Sequence, residues 1–428
     1  MDVLQHRVER QNVYEEIPKF WHDLYGTEYA LLDVKVESRK TVQNIREAAE
    51  RAGLIFAKTA KLMRQLPDET FRELGFPPET WSYIRLKTLP FESVIARIDF
   101  AVNGNEIKLL ELNADTPTFI KETYRVNGEI CRYHGLQDVN EEMEKVLAGE
   151  IRKAVEIALK QSGKGPHAKI VFTSHDDHEE DYWTVQYLME ISGLGAEYVA
   201  LKDLRIIETD LIENGEVILP RGVYTPTFEK IDVLYRQTYP IEHLILDEDP
   251  ITKEKVGIML LKLAEENEVL LLNPPSAFLL QSKSVLALIW GLHEQKHPYF
   301  SRVEHEWISR YFLPTYLEED NFLLREVKYV KKPSFGREGD TVEVFNGRGK
   351  KVIEDRLKTY EDTLPVYQQF VELPDYEIKT ISGRRLAKIM YGCFLINGKP
   401  SAIGIRAGGQ ITNNASYFLP IGLVKEED

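Results

Sequence analysis

Four polar residues fall at alternate positions in two neighbouring strand-like segments. Arg97 and Asp99 lie in "ARIDF", and Glu111 and Asn113 in "LELNAD". Side chains alternate faces along a strand, so all four share one face if the segments pair with odd positions opposite one another. The intervening "NGN" at 103–105 would arrange this as a three-residue loop, with Gly104 at positive φ. Ile98, Phe100, Val102, Leu110 and Leu112 then form the apolar face. Two carboxylates, a carboxamide and a guanidinium on one face suit Mg²⁺, whose oxygen shell nucleotide phosphates commonly complete. The same alternation also fits a half-exposed antiparallel sheet carrying a solvated Arg–Asp pair.

A second group lies in "KYVKKPSFGREGDTVEVF" (328–345), which reads as strand, loop, strand. Gly336 and Gly339 would let backbone N–H groups approach a phosphate, and Lys332 and Arg337 add positive charge. The chain contains neither GxxxxGK[ST] nor GxGxxG, so this is not a P-loop or a dinucleotide fingerprint. Alone, the loop also fits an ordinary hairpin. Lys283 opens the apolar stretch "SVLALIWGL", placed either to reach a nucleotide or to be solvated in a first helical turn. Arg406, in "GIRAGGQITNN", faces a charged cleft or caps a sheet. His175 and His178 in "HDDHEEDYW" could hold a metal, although acids at a helix start are favoured by its dipole anyway. Cys131 and Cys393 have no Cys-His pattern around them and are expected in the core.

The elements that must position these groups alternate between strand and helix. Residues 38–64 and 141–163 have helical apolar spacing, and "AKIVFTS" (168–174), 230–238 and "VLLLNPP" read as strands with helices between them. That alternation predicts an α/β (α+β) chain. From 326 onward the text is β-rich, with Asn-Gly hairpin signals at 346–347 and 397–398. The expected organisation is a mostly helical region over 1–90, an α/β region over 91–325 and a β-rich region over 326–428, with the chemistry between the last two.

A length of 428 residues, with 43% hydrophobic and 29% charged residues, suits two or three subdomains of a soluble globular protein. A net charge of −15 argues against a nucleic-acid or anionic-membrane partner. Two cysteines cannot build a disulfide framework, which predicts a reducing, cytoplasmic setting. The N-terminus has no apolar signal core, and no apolar run approaches the ~20 residues of a membrane span.

Taken in order, "RIDF", "ELNADTPT", "HEEDYW", "NPPSAFLLQSKSVLALIWGLHE", "KKPSFGREG", "VYQQFVELP" and "IGIRAG" make the chain resemble the synthetase domain of the glutathionylspermidine synthase family, within the ATP-grasp superfamily. The resemblance implies an ATP-grasp-like fold whose nucleotide cleft lies between the α/β part and the β-rich part. It also implies an ATP-dependent carboxylate–amine ligase working through an acyl phosphate. Asp99, Glu111 and Asn113 then correspond to Mg²⁺ ligands, and Arg97 to the group stabilising the acyl phosphate and tetrahedral adduct. Lys283, Lys332, Gly336, Gly339, Gln369 and Arg406 correspond to ATP-site residues. Thr116, Thr118 and Arg337 match positions facing a glutathione-like or peptide acid. Glu122, Glu179 and Glu180 match acidic positions near the peptide and the polyamine-like amine. Bifunctional family members carry an amidase domain with a catalytic cysteine. Here only ~90 residues precede the matching region and no cysteine comes before Cys131, so amidase activity is not expected. Where the family places small hydroxyl residues, this chain has threonines separated by Pro117. Two other functions fit the same fold: a nucleotide-binding regulator or scaffold without turnover, and an ATP-dependent phosphotransferase.

Overall fold

The computed structural model describes residues 3–165, 167–337, 339–355, 358–413 and 415–424. Strands β1 (Ile95–Asn103) and β2 (Glu106–Asn113) form the expected antiparallel hairpin. Its turn is shorter than the sequence suggests. Asn103 pairs with Glu106 across the two-residue loop Gly104–Asn105, with Gly104 at φ +61°. That register alone would put Asp99 and Glu111 on opposite faces. A β-bulge corrects it: Phe100 pairs with Leu109 while Asp99 pairs with Glu111, leaving Leu110 as the extra residue. The bulge also reverses one expectation. Leu109 enters the core beside Ile98, Phe100 and Leu112, whereas Leu110 packs against Ala101, Leu373, Val371 and Met390, towards the cleft.

A parallel sheet follows. It contains β3 (Ile170–Ser174), β4 (Glu197–Tyr198), β5 (Val233–Gln237) and β6 (Leu270–Leu272), in the order β6-β5-β3-β4. The chain leaves β3 through helix α3 (Glu179–Ser192) to reach β4 on one side. It leaves β5 through α4 (Ile241–Leu244) and α5 (Val256–Glu265) to reach β6 on the other. Connections that diverge from adjacent parallel strands open a crevice beyond their carboxyl ends, where α/β sheets bind ligands. Helix α1 (Arg39–Met63) is capped by Ser38, whose Oγ accepts the Thr41 N–H, and buries Ile45, Ala52 and Phe56 in the same core as the hairpin. Helix α2 (Met143–Ser162) packs on α3. The apolar helix α6 (Ser284–Glu294) follows Lys283.

The C-terminal region is β-rich as expected. Strands β7 (Thr315–Tyr316), β8 (Tyr329–Pro333), β9 (Glu343–Phe345), β10 (Lys351–Glu354) and β11 (Pro365–Gln369) form an antiparallel sheet ordered β7-β11-β8-β9-β10. Strands β12 (Asp375–Thr380), β13 (Gly383–Ile396), β14 (Lys399–Gly408) and β15 (Tyr417–Leu419) complete the sheet begun by β1 and β2, ordered β15-β14-β13-β1-β2 with β12 also on β13. Asn397 and Gly398, both at positive φ, make the tight turn between β13 and β14. The end of the chain therefore supplies β13, one of the two neighbours of the Arg97–Asp99 strand. Both cysteines are buried. Among the described residues, no helix is long and apolar enough to cross a membrane.

Candidate functional site

Beyond the bulge, Arg97 pairs with Asn113 and Asp99 with Glu111 across the β1–β2 ladder, which brings the four polar side chains together. Arg97 grips Asp99 in a bidentate pair, Nε donating to Oδ1 at 2.7 Å and Nη2 to Oδ2 at 2.9 Å. Its Nη1 donates to the Thr118 carbonyl at 2.8 Å. Asn113 Nδ2 donates to Asp99 Oδ2 at 3.1 Å and to Glu111 Oε1 at 3.4 Å. Both members of the ion pair are enclosed, Arg97 at 5% and Asp99 at 1% exposure, so the solvated-face reading does not hold for them. Burial pushes the Asp99 carboxyl up, against the pull of Arg97. The sheet makes room through Gly392, which sits opposite Asp99 on β13. A Cβ there would lie 2.8 Å from Arg97 Cδ and 3.2 Å from Asp99 Oδ1.

The segment after Asn113 is held by residues far away in sequence. Gln281 Oε1 accepts the N–H groups of Ala114 and Asp115. Asn273 accepts the Val94 and Ile95 N–H groups and donates to the Ala114 and Asp115 carbonyls. Gln237, the last residue of β5, donates to the Pro117 carbonyl at 3.2 Å. Arg337 donates to the Thr116 carbonyl at 3.2 Å. Asp115 itself forms a fully buried ion pair with Arg236. Thr116 and Thr118 are thus fixed over the carboxyl end of β5, and they line one cavity with Arg97, Asp99, Glu111, Asn113, Arg337, Gly339 and Arg406.

A second cavity adjoins it and shares Glu111, Arg337, Gly339, Met390 and Thr412 with the first. It contains Lys283, Lys332, Gly336 and Gln369 from the sequence expectations. Lys283 is only 8% exposed. It donates to the Gly336 carbonyl at 2.8 Å and lies 3.4 Å from Glu111, so it is a cleft residue and not a solvated lysine. Lys332 Nζ donates to Gln368 Oε1 at 2.8 Å and to the Leu110 carbonyl at 3.4 Å. Burial lowers Lys332 to about 8, against the pull of Glu111. Burial would raise Glu111, but Lys283, Lys332 and Arg97 outweigh it and hold that carboxyl at about 2. The opposite wall is apolar, with Leu110, Leu373 and Met390. The two lysines and the apolar wall give this slot a charged and an apolar part, the combination a nucleotide needs. Gly339, at φ +74°, approaches so closely that a Cβ would lie 2.5 Å from the Thr412 carbonyl. Glu338, between these glycines, lies outside the described residues.

The remaining expected residues are placed differently. Arg406 reaches the first cavity, not the one that holds Lys283 and Lys332. It donates to the Asn413 carbonyl at 3.1 Å, and its buried Nε has no partner. Glu122 is fully enclosed and accepts the Tyr29 hydroxyl at 2.6 Å. Burial pushes the Glu122 carboxyl up, offset in part by Tyr29 and Arg406. Glu179 is exposed in the first turn of α3, whereas half-buried Glu180 lies near enough to act on Arg97 and Tyr29. His178 accepts the Asp181 N–H as the cap of α3, and His175 makes a tilted contact with Tyr239, ring centroids 4.4 Å apart. A third, wider cleft of about 1030 Å³ is lined by Tyr239, Pro240, His243, Arg337 and Tyr360 among others. Sequence reasoning missed Tyr29, Gln237, Asn273, Gln281 and Gly392. Asn273 and Gln281 lay in plain view in "NPPSAFLLQS", but their partners are about 160 residues away.

Among the described residues, no group of three or more His, Cys, Asp or Glu is placed to hold a metal. Asp99, Glu111 and Asn113 form a different set, two carboxylates and an amide joined by hydrogen bonds on one face. Each carboxylate oxygen keeps further acceptor capacity, and a flipped Asn113 amide would offer its carbonyl. This hard-oxygen set fits a Mg²⁺ shared with phosphates and is poor for softer metals.

Residues 1–424 match the family described as glutathionylspermidine synthase preATP-grasp. A protein of Haemophilus influenzae named "Putative acid--amine ligase" is 26% identical over 333 residues, covering 76% of this chain and 73% of that one. Trypanothione synthetase of Crithidia fasciculata is 23% identical over 312 residues; the match covers 72% of this chain but only 45% of the relative's length. The structure of a glutathione synthetase-like effector from Globodera pallida superposes with a TM-score of 0.58 at 12% identity, covering 98% of this chain and 97% of that one. That likeness shows a shared fold.

Proposed function

The chain belongs to the glutathionylspermidine synthase family, and on that premise we propose that it activates a carboxylic acid as an acyl phosphate and joins it to an amine. The broader activity, an ATP-dependent carboxylate–amine ligase, follows from the family and its named relatives. The observation that carries the finer reading is the shared wall. The nucleotide slot and the Arg97 cavity meet along Glu111, Arg337 and Gly339, so a γ-phosphate in one abuts a carboxylate in the other.

The chain's own groups divide the work. Lys283 and Lys332 meet the phosphates, and the backbone at Gly336 and Gly339 covers them, excluding water that would hydrolyse the activated acid. Asp99, Glu111 and Asn113 would hold Mg²⁺, which neutralises phosphate charge when bound. Thr116 and Thr118, fixed by Gln237, Asn273 and Gln281, orient the acid. Arg97 and Arg406 bring guanidinium groups to the carbon where oxyanion charge develops. The amine attacks, the carbon–oxygen bond to phosphate breaks, and phosphate leaves with the electron pair. A glutathione-like acid and a polyamine-like amine are the substrates we infer, with Glu180, which acts on Arg97, an acidic residue near this site.

The test is ADP release with Mg·ATP against acids (glutathione, γ-glutamyl and other short peptides) crossed with amines (spermidine, putrescine, amino acids), products being read by mass spectrometry. ADP that requires both partners, together with a condensed product, supports the ligase reading. A phosphorylated acid or amine as the stable product would replace it with phosphotransfer. Tight nucleotide binding without turnover on any pair would favour a regulatory role.

A further inference from the structure

The nucleotide slot is too small for what it must hold. It encloses about 100 Å³, against about 1030 Å³ for the wide cleft and the ~300 Å³ at which small-molecule pockets begin. A side chain in its lining must therefore move to admit a nucleotide. The chain from Gln369 to Pro374, which joins β11 to β12, points to one. The Gln369 and Phe370 N–H groups donate to the Pro314 and Lys328 carbonyls. The Glu372 and Pro374 carbonyls accept Asn103 Nδ2 and the Ile389 N–H. The Val371 carbonyl and the Leu373 N–H are served differently, both by the side chain of Gln410. Gln410 Nε2 donates to Val371 at 3.0 Å, and its Oε1 accepts from Leu373 at 3.1 Å. Gln410 stands just beyond β14 and lines the slot together with Val371 and Leu373.

A carbonyl and the N–H two residues further on form an acceptor beside a donor. A primary amide complements that pair, and so does adenine, whose exocyclic N6–H donates while ring N1 accepts. We propose that Gln410 occupies the place of the adenine base in the empty slot. Nucleotide binding swings its side chain out towards the wide cleft, which it also lines, and passes the Val371 carbonyl to adenine N6–H and the Leu373 N–H to adenine N1. This rests on the nucleotide slot assigned above. The exchange replaces two neutral hydrogen bonds by two of the same kind, so Gln410 competes with the base. It keeps both backbone groups satisfied while the slot is empty, and it lowers the apparent affinity by the fraction of molecules in which it has already swung away. The same pair of groups selects the base. Guanine presents O6 as an acceptor and N1–H as a donor, the reverse arrangement, which sets acceptor against acceptor and donor against donor.

Calorimetric titration of the full chain with nucleotide and Mg²⁺, without acid or amine, tests this. Gln410→Ala is expected to bind ATP about tenfold more tightly than the parent, because the competing amide is gone. Both proteins should prefer ATP to GTP by ~10²-fold or more, since backbone groups read the base. Equal or weaker ATP binding by Gln410→Ala overturns the proposal, because Gln410 is then a fixed wall or a direct contact. Equal affinity of the parent for ATP and GTP overturns the base assignment. A crystal structure of the parent with Mg²⁺ and a non-hydrolysable ATP analogue gives a readout that needs no variant. It should show adenine on Val371 and Leu373 with Gln410 released, and Gln410 still bonded to both overturns the proposal. Absence of nucleotide binding by the parent is a different failure, that of the slot itself, and takes the proposal with it.

Discussion

Arg97→Ala removes three hydrogen bonds at once, two to Asp99 and one to the Thr118 carbonyl. It has two separable consequences. Asp99, at 1% exposure, keeps only the Asn113 amide as a partner. Orphaning one member of a buried pair costs ~3–5 kcal/mol of stability. Arg97→Ala with Asp99→Asn removes the stranded charge, so the double variant should recover most of that loss. The catalytic effect is distinct: losing one preorganised electrostatic stabiliser costs ~10²–10³ in turnover, about 2.7–4 kcal/mol of transition-state stabilisation. Urea unfolding of the three proteins measures the first effect. ADP release at saturating substrates, well below each melting temperature, measures the second. A folded Arg97→Ala with turnover within about threefold of the parent would refute the assigned role. Equal stability of single variant and parent would refute the idea that Arg97 is what makes the buried Asp99 tolerable.

Other expectations follow from the same geometry. Lys332 is lowered to about 8 by burial; if it binds phosphate as the cation, as proposed, ATP affinity should fall roughly tenfold between pH 7 and 9 in calorimetric titrations. Lys332→Arg should show no such fall, and a pH-independent parent would contradict the assignment. Gly392→Ala places a methyl 2.8 Å from Arg97 Cδ, so turnover should drop by at least ~10-fold while ATP affinity measured by titration stays near the parent's. Glu242, raised from 4.5 to about 7 by burial, makes the folded state lose stability as pH rises from about 4.5 through 7, because there the folded state holds a proton that the unfolded chain has released. Glu242→Gln should therefore unfold at a higher temperature than the parent at pH 8 and at nearly the same temperature at pH 4. The opposite order at pH 8 would mean that the carboxylate is well compensated.

The hairpin carrying the four polar groups was legible because strand alternation is strictly local: period two puts Arg97 with Asp99, and Glu111 with Asn113, on one face of each strand, while the bulge brings the two pairs together. The turn at Asn397–Gly398 was legible for a similar reason, since two residues with positive φ identify it. The bulge at Leu110 was not. Nothing in "LLELN" states which leucine is the extra one; packing decides it, by sending Leu109 into the core and Leu110 towards the cleft. Lys283 could be read two ways until the fold placed the Gly336 carbonyl and Glu111 beside it. Asn273 and Gln281 depend on contacts between distant segments, and no local pattern signals a side chain whose partner lies more than a hundred residues away.

The central claim is that the acid's carboxylate takes the γ-phosphoryl group before the amine attacks. It is tested most directly by supplying the acid with ¹⁸O in both carboxylate oxygens, together with Mg·ATP and the amine, and analysing the released phosphate by mass spectrometry. The account predicts one ¹⁸O atom in each phosphate and one retained in the amide. Phosphate without ¹⁸O, alongside a normal yield of amide, would contradict it.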